Sequence, residues 1–260
     1  MTAILLAVML LCPDEVFVLS VFIICIVAVF EMDRCLKAGG YRNLSVLGYV
    51  GSLSILLAGA ERIYNINVSA GVYILAGFVA LSVLAVYMIT EFPDFSIGDL
   101  AVSLFGNTYV ISGFMCCVLI RLMDYGNELF WILILGAWLT DVFAYLVGSL
   151  IGRTHFLKKV SPKKSLEGTI GAIVGTTVVL SLVCMYIFKD IPVDGVYLVL
   201  IVLLCSVFAQ LGDWIMSAFK RLADIKDFGK LIPGHGGIID RFDSVLFIAP
   251  MMLGILMIVA

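Results

Sequence analysis

Apolar, charge-poor runs recur along this chain near residues 44–60, 71–90, 100–120, 129–151, 169–188, 195–217 and 244–260, preceded by two shorter ones at 2–12 and 16–30. A helix needs about 20 apolar residues to cross the hydrocarbon layer, whereas barrel strands alternate in hydrophobicity over about 9 to 11 residues. Continuous runs of this length predict helices. The expected fold class is all-α, a polytopic membrane bundle of about nine transmembrane helices. The run at 2–12 is short for a full crossing, but it lacks the basic flank and small-x-small site of a signal peptide, so it reads as a tilted or partial span.

Between the runs, Lys and Arg are sorted by side. Segments 31–43, 91–99, 152–168 and 218–243 hold thirteen of the sixteen, leaving Arg62, Arg121 and Lys189 for the alternate set. Short loops rich in these residues stay cytoplasmic. Both large polar loops, 152–168 and 218–243, are thus expected to face the cytoplasm, with the amino terminus starting there and the carboxyl terminus ending outside. The 91–99 segment is acidic and adds nothing to that assignment. Composition agrees with the pattern, since 63% hydrophobic residues and a mean hydropathy of +1.16 cannot be hidden inside a soluble globule. The seven cysteines lie in or beside apolar segments without paired metal spacing and read as reduced packing residues. Neither a soluble domain nor a nucleic-acid surface is indicated.

Three polar features stand out against this background. Asp141 falls near the middle of the 129–151 run, where an acidic side chain costs roughly 2.5 to 3.5 kcal/mol. Tyr145, Gly148 and Gly152 share its helix face, the glycines permitting close approach by a neighbouring helix or a ligand. The second feature is GRTHFLKKVSPKKSLEGTIGA, residues 152–172. Ser161 and Pro162 resemble an N-cap and first helical position, which would set Lys163 and Lys164 at a helix start, while Gly168 and Gly171 would let backbone approach a ligand. Positive charge over free backbone N–H groups makes a phosphate site. The alternative is a basic loop that only fixes topology or touches anionic lipid.

The third and densest feature is SAFKRLADIKDFGKLIPGHGGIIDRFD, residues 217–243, with nine charged side chains and a histidine in 27 positions. Asp213, Ser217 and Lys220 or Arg221 form one stripe of the helix feeding it. Beyond a glycine turn come Asp240, Arg241 and Asp243. Carboxylates alternating with Lys and Arg at one membrane face suit Mg²⁺ held by acidic oxygens, with the cations neutralising a polyphosphate. An ion-pair network of purely structural purpose is the other reading, and His235 between glycines also suits a simple turn.

Ser217-x-x-Lys220-Arg221, then Lys226-Asp227, then Pro233-x-His235-Gly236-Gly237-x-x-Asp240-Arg241-x-Asp243 resembles the signature of the phosphatidate cytidylyltransferase, or CDP-diacylglycerol synthase, family. Asp141 with its tyrosine and glycines, the SPKKSLEG loop and Gly212-Asp213 resemble it too, so the likeness covers about residues 129–260. Toward the amino terminus it fades: family members carry an acidic–aromatic pair where this chain reads Glu31-Met32. The resemblance implies transfer of a cytidylyl group from CTP to phosphatidic acid, with Mg²⁺ and a possible second cation, in a homodimer within a bacterial cytoplasmic membrane. Residues 1–95 would be amino-terminal transmembrane helices and 96–260 the catalytic region. Implied catalytic residues are Asp213, Lys220, Arg221, Lys226, Asp227, His235, Asp240 and Arg241. Ser161, Lys163, Lys164, Glu167, Ser217, Gly236 and Gly237 would bind nucleotide, and Asp213, Asp240 and Asp141 the metal. A related lipid nucleotidyltransferase such as CDP-archaeol synthase, or a polyprenol kinase, would use the same metal–phosphate physics. An ion-coupled transporter, with Asp141 as its ion site, is the rival of another class.

Overall fold

The computed structural model describes residues 12–92, 94–157, 159–189, 191–229 and 236–259. Eight helices follow one another within them: α1 (Asp14–Ala38), α2 (Ser45–Ile63), α3 (Ala70–Thr90), α4 (Ile97–Arg121), α5 (Gly126–Ile151), α6 (Leu166–Tyr186), α7 (Gly195–Leu222) and α8 (Ile239–Val259). The fold is an all-α membrane bundle. Seven of these helices are long and apolar enough to span a bilayer, and α3 contributes a shorter apolar stretch, Ile74–Thr90. Each answers to a predicted run, and the first of the nine, 2–12, lies outside the described residues except for Cys12. The largest extensions are polar. The first helix continues past residue 30 to Ala38, and α7 continues past residue 217 to Leu222.

Side-chain caps explain several of the starts. Ser96 and Asp99 form a reciprocal capping box on α4, with Ser96 Oγ accepting the Asp99 N–H at 3.1 Å and Asp99 Oδ2 accepting the Ser96 N–H at 2.7 Å. Asp194 caps α7 through the Val196 N–H at 2.8 Å. Pro250 sits inside α8, where a membrane setting tolerates it better than water does.

Helices α5 and α6, α7 and α8, and α4 and α8 make the most extensive pairings, whereas α3 packs weakly on the rest. Missing side chains set the closest approaches. A Cβ on Gly168 would lie 2.8 Å from the Ala144 carbonyl and 3.0 Å from Gly148 Cα, and one on Gly175 would lie 2.6 Å from the Phe143 ring. Gly168 and Gly171 therefore serve the α5–α6 contact rather than a ligand's approach, because helices in lipid associate through small residues that admit close backbones. Many outward side chains, such as Ile74, Phe78, Leu150 and Ile170, are apolar and exposed, as a lipid-facing surface requires.

Polar links gather at the two ends. At one end Arg121 pairs with Asp14 at 3.0 Å, its guanidinium carbon 5.5 Å from the centre of the Phe17 ring. At the other end two polar connections meet: the Arg42 N–H donates to Asp99 at 2.8 Å, and its guanidinium lies 3.7 Å from Glu91 and 3.5 Å from Asp94. These contacts set the 31–43 and 91–99 segments at one end and Arg121 at the other, as the Lys and Arg pattern expects of those three.

Candidate active site

The site is built on the last turns of α7 and the first turn of α8. Asp213 projects from α7, and one turn later Ser217 donates its hydroxyl to Asp213 Oδ1 at 3.2 Å. Asp213 Oδ2 is paired with the ammonium of Lys164, which comes from the loop before α6. That ammonium also lies 5.7 Å from the centre of the Trp214 ring, on whose edge Phe156 packs at 5.4 Å. A charge shared between carboxylate and aromatic face fixes the loop against α7 while leaving the pair accessible, with 26% of the Lys164 side chain and 24% of the Asp213 side chain exposed.

Asp240 lies one residue inside α8. Its Oδ1 accepts from Lys220 Nζ at 2.8 Å, and its Oδ2 accepts the backbone N–H groups of Phe228 at 2.8 Å and Gly237 at 3.0 Å. Lys220 is thus placed by a carboxylate from another helix, and the polar segment is held at both ends by one side chain. Gly236 has φ +85°, a conformation that only glycine adopts without strain, and a Cβ there would crowd the Asp240 carboxylate at 2.9 Å. His235 lies outside the described residues.

A further carboxylate arrives through backbone packing. At Gly212 a Cβ would lie 2.7 Å from the Asp243 carbonyl and 2.8 Å from Phe247 Cβ, so its absence lets α8 close on α7 and brings Asp243 beside Asp213. Tyr109 of α4 donates its hydroxyl to the same carbonyl at 2.7 Å. Asp243 is within electrostatic range of Asp213, Asp141 and Lys220, and Asp141 within range of Asp213 and Lys164. Asp141 is exposed on α5. Three helices therefore contribute carboxylates to one neighbourhood.

Other residues singled out from the sequence fall around this group. Arg221 donates from Nε to the Val160 carbonyl at 3.3 Å, tying the end of α7 to the loop before α6. Lys163, Lys226, Asp227 and Arg241 are exposed. Ser161 is not an N-cap. The cap is Ser165, whose Oγ accepts the Gly168 N–H at 3.1 Å, and α6 begins at Leu166. The start is shifted because the Leu166 N–H donates to the Thr154 carbonyl at 2.8 Å, and Glu167 accepts the N–H groups of Arg153 at 3.0 Å and Thr154 at 3.1 Å, folding the loop back across the helix start. Glu167 faces that loop backbone.

The chain that builds this constellation, a basic loop and a cassette of paired lysines and carboxylates at one end of a membrane bundle, matches a family of known proteins in sequence. The model of the cytidylyltransferase family aligns with residues 1–259. The chain belongs to that family. As a cytidylyltransferase it is similar to the phosphatidate cytidylyltransferase of Bacillus subtilis, 33% identical over 241 residues that cover 91% of this chain and 87% of the relative. It is similar also to the phosphatidate cytidylyltransferases of Staphylococcus epidermidis, 34% identical over 91% of the chain and 88% of the relative, and Staphylococcus haemolyticus, 33% identical over 87% and 85%. The chain is a nucleotidyltransferase.

Cytidylyltransferase chemistry implies Mg²⁺, and the donors present suit it. Among the described residues no three His, Cys, Asp or Glu form a closed metal cage. Mg²⁺ takes one or two carboxylates and completes its shell with water and substrate phosphates. Asp213 is partly exposed with one oxygen on a lysine and the other on a hydroxyl. Among the described residues, Asp240 fills three of its roughly four lone-pair directions.

Proposed function

We propose that this cytidylyltransferase joins CTP to phosphatidic acid, forming CDP-diacylglycerol and releasing pyrophosphate. A phosphatidate oxygen attacks the α-phosphorus of CTP, a new phosphoanhydride bond forms, and the α–β bond breaks as pyrophosphate leaves in line. The second ionisation of a phosphate monoester falls near pH 6, so the nucleophile needs no strong base. The difficulty is repulsion between two anions.

Lysine–carboxylate pairing between separate segments is the observation that carries this reading: Lys164 on Asp213 and Lys220 on Asp240. Each lysine holds the end of a flexible stem against a carboxylate, so it can turn to a phosphate oxygen without leaving the site. In this proposal Lys164 and Lys163 bind the β- and γ-phosphates from the loop side, and Lys220, Arg221, Lys226 and Arg241 bind the lipid phosphate and the α-phosphate. Asp213 and Asp240 hold Mg²⁺, Asp141 and Asp243 add negative field around it, and Ser217 and His235 orient water or a phosphate oxygen. When bound, the ion neutralises charge developing on the transferred phosphoryl group. Asp227, on the same segment, balances the charge of Lys226. Acyl chains remain in the bilayer while the headgroup reaches the polar end, which the distribution of Lys and Arg supports as the cytoplasmic one. Two copies of the chain are proposed to pair in the membrane.

The test is a detergent assay that supplies each nucleoside triphosphate with phosphatidic acid, an archaeal-type ether lipid phosphate or a polyprenol. The reading expects product only with a cytidine nucleotide and phosphatidic acid. Turnover of polyprenol, or ion flux without nucleotide in reconstituted vesicles, contradicts it.

A further inference from the structure

Glu31 of α1 is 2% exposed, yet the charge pattern of the sequence gives it no task. Its two oxygens accept the consecutive backbone N–H groups of Ile238 and Ile239, each at 3.0 Å, across more than two hundred residues of chain. These are among the N–H groups that a helix leaves without partners at its start. The residues immediately before α8, Gly236, Gly237 and Ile238, carry no side chain that caps. A carboxylate from α1 supplies the cap instead, where the helix dipole also favours negative charge. Gly229 and Gly237 both face this carboxylate so closely that a Cβ at either would overlap it.

Two carboxylates therefore divide one run of backbone. Gly237 N–H goes to Asp240, and the next two N–H groups go to Glu31. Asp240 is thereby left with an oxygen for Lys220, while the fixed end of α8 is carried by Glu31. A slip of the first turn of α8 would displace Asp240 from Lys220 and Asp243 from Asp213 together, because Asp240 lies on that turn and Asp243 follows it directly in the same helix.

We infer that Glu31 is a positioning residue for cytidylyl transfer, holding the first turn of α8 so that Asp240 and Asp243 keep their register against α7. It touches neither substrate. Glu31→Gln is the decisive variant, since an amide keeps the size but sets an NH₂ donor against one of the two backbone N–H groups. Glu31→Asp keeps both acceptors on a stem one methylene shorter. Asp14→Ala serves as a stability benchmark, because it breaks the Arg121 pair at the opposite end of the bundle.

Each purified protein is measured for thermal unfolding in detergent, for kcat, and for KM with CTP and with phosphatidate. Glu31→Gln is expected to fold and to lose about 100-fold in kcat, the scale of a misplacement near 1 Å. Both KM values should stay near those of the unsubstituted protein, which marks loss of an arrangement used in the transition state. Glu31→Asp should recover part of that loss, and Asp14→Ala should lower the unfolding temperature without lowering kcat. If Glu31→Gln does not yield folded protein, the same kcat and KM comparison is made on Glu31→Asp, with a smaller loss of kcat expected. Wild-type kcat in the folded Gln variant overturns the inference. So does a fall in activity that merely tracks the unfolded fraction, or, where only the Asp variant folds, wild-type kcat in that protein.

Discussion

Lys220 Nζ lies 2.8 Å from Asp240 Oδ1, and with 14% and 8% of their side chains exposed the two form the most enclosed ion pair among the described residues. Two charges are taken largely out of water here, at a cost that mutual attraction alone seldom repays. Additional hydrogen bonds are needed. Asp240 receives them from the Phe228 and Gly237 backbone, and Lys220 lies 5.6 Å from the centre of the Phe228 ring. Such an arrangement orders a cationic group beside the site.

Replacing Asp240 with Asn leaves Lys220 without its counter-ion and sets an amide donor against backbone donors. Removing one partner of an enclosed pair destabilises by about 3 kcal/mol. Asp240→Asn should therefore lower the detergent unfolding temperature and reduce CTP-dependent product formation at least ~100-fold, with membrane insertion unchanged. Thermal unfolding, the radiolabel assay and membrane fractionation together check this.

Lys164→Met keeps much of the apolar stem but removes the ammonium from Asp213 and from the Trp214 face. The side chain is only partly enclosed, so stability should change by less than about 1 kcal/mol. Catalysis should suffer more, with kcat falling about 100-fold, as when one donor to a developing oxyanion is deleted. Steady-state kinetics on the variant, with an unfolding curve beside them, distinguish the two effects.

Much of this architecture is legible from apolar run length alone, because lipid enforces helices wherever backbone must cross it. The cassette was likewise legible as a polar segment, and the pairing of Lys220 with Asp240 lies within it. Contacts assembled from remote sequence were not. Glu31 and Tyr109 reach residues more than one hundred positions away, and no local periodicity encodes that meeting. Ser161 misled for a different reason. Serine followed by proline is a strong local start signal, yet the Thr154 carbonyl and the Glu167 carboxylate, both tertiary partners of the 153–167 fold-back, move the cap to Ser165. Gly168 and Gly171 show the same limit, since a small residue invites a ligand or a helix equally and only the neighbour decides.

Gly168→Ala tests that assignment. Its methyl would meet backbone atoms of α5, the Ala144 carbonyl and Gly148 Cα, which cannot swing aside. Overpacking of this kind costs about 1–3 kcal/mol. The unfolding temperature should drop while KM for CTP stays constant; a raised KM at unchanged stability would return Gly168 to the ligand.

Chelation should abolish turnover, and added Mg²⁺ should restore it in a saturable way. Thermal unfolding of the substrate-free protein should be the same with and without chelator, because helix packing holds the fold and no closed metal cage is found among the described residues. Paired assays and unfolding curves over a Mg²⁺ titration read both outcomes.

Position-labelled CTP tests the central claim most directly. With phosphatidic acid as acceptor, label at the α-phosphorus should enter the lipid extract while label at the γ-phosphorus leaves in aqueous pyrophosphate. Label from the γ-phosphorus in the lipid, with none from the α-phosphorus, would contradict cytidylyl transfer by this chain.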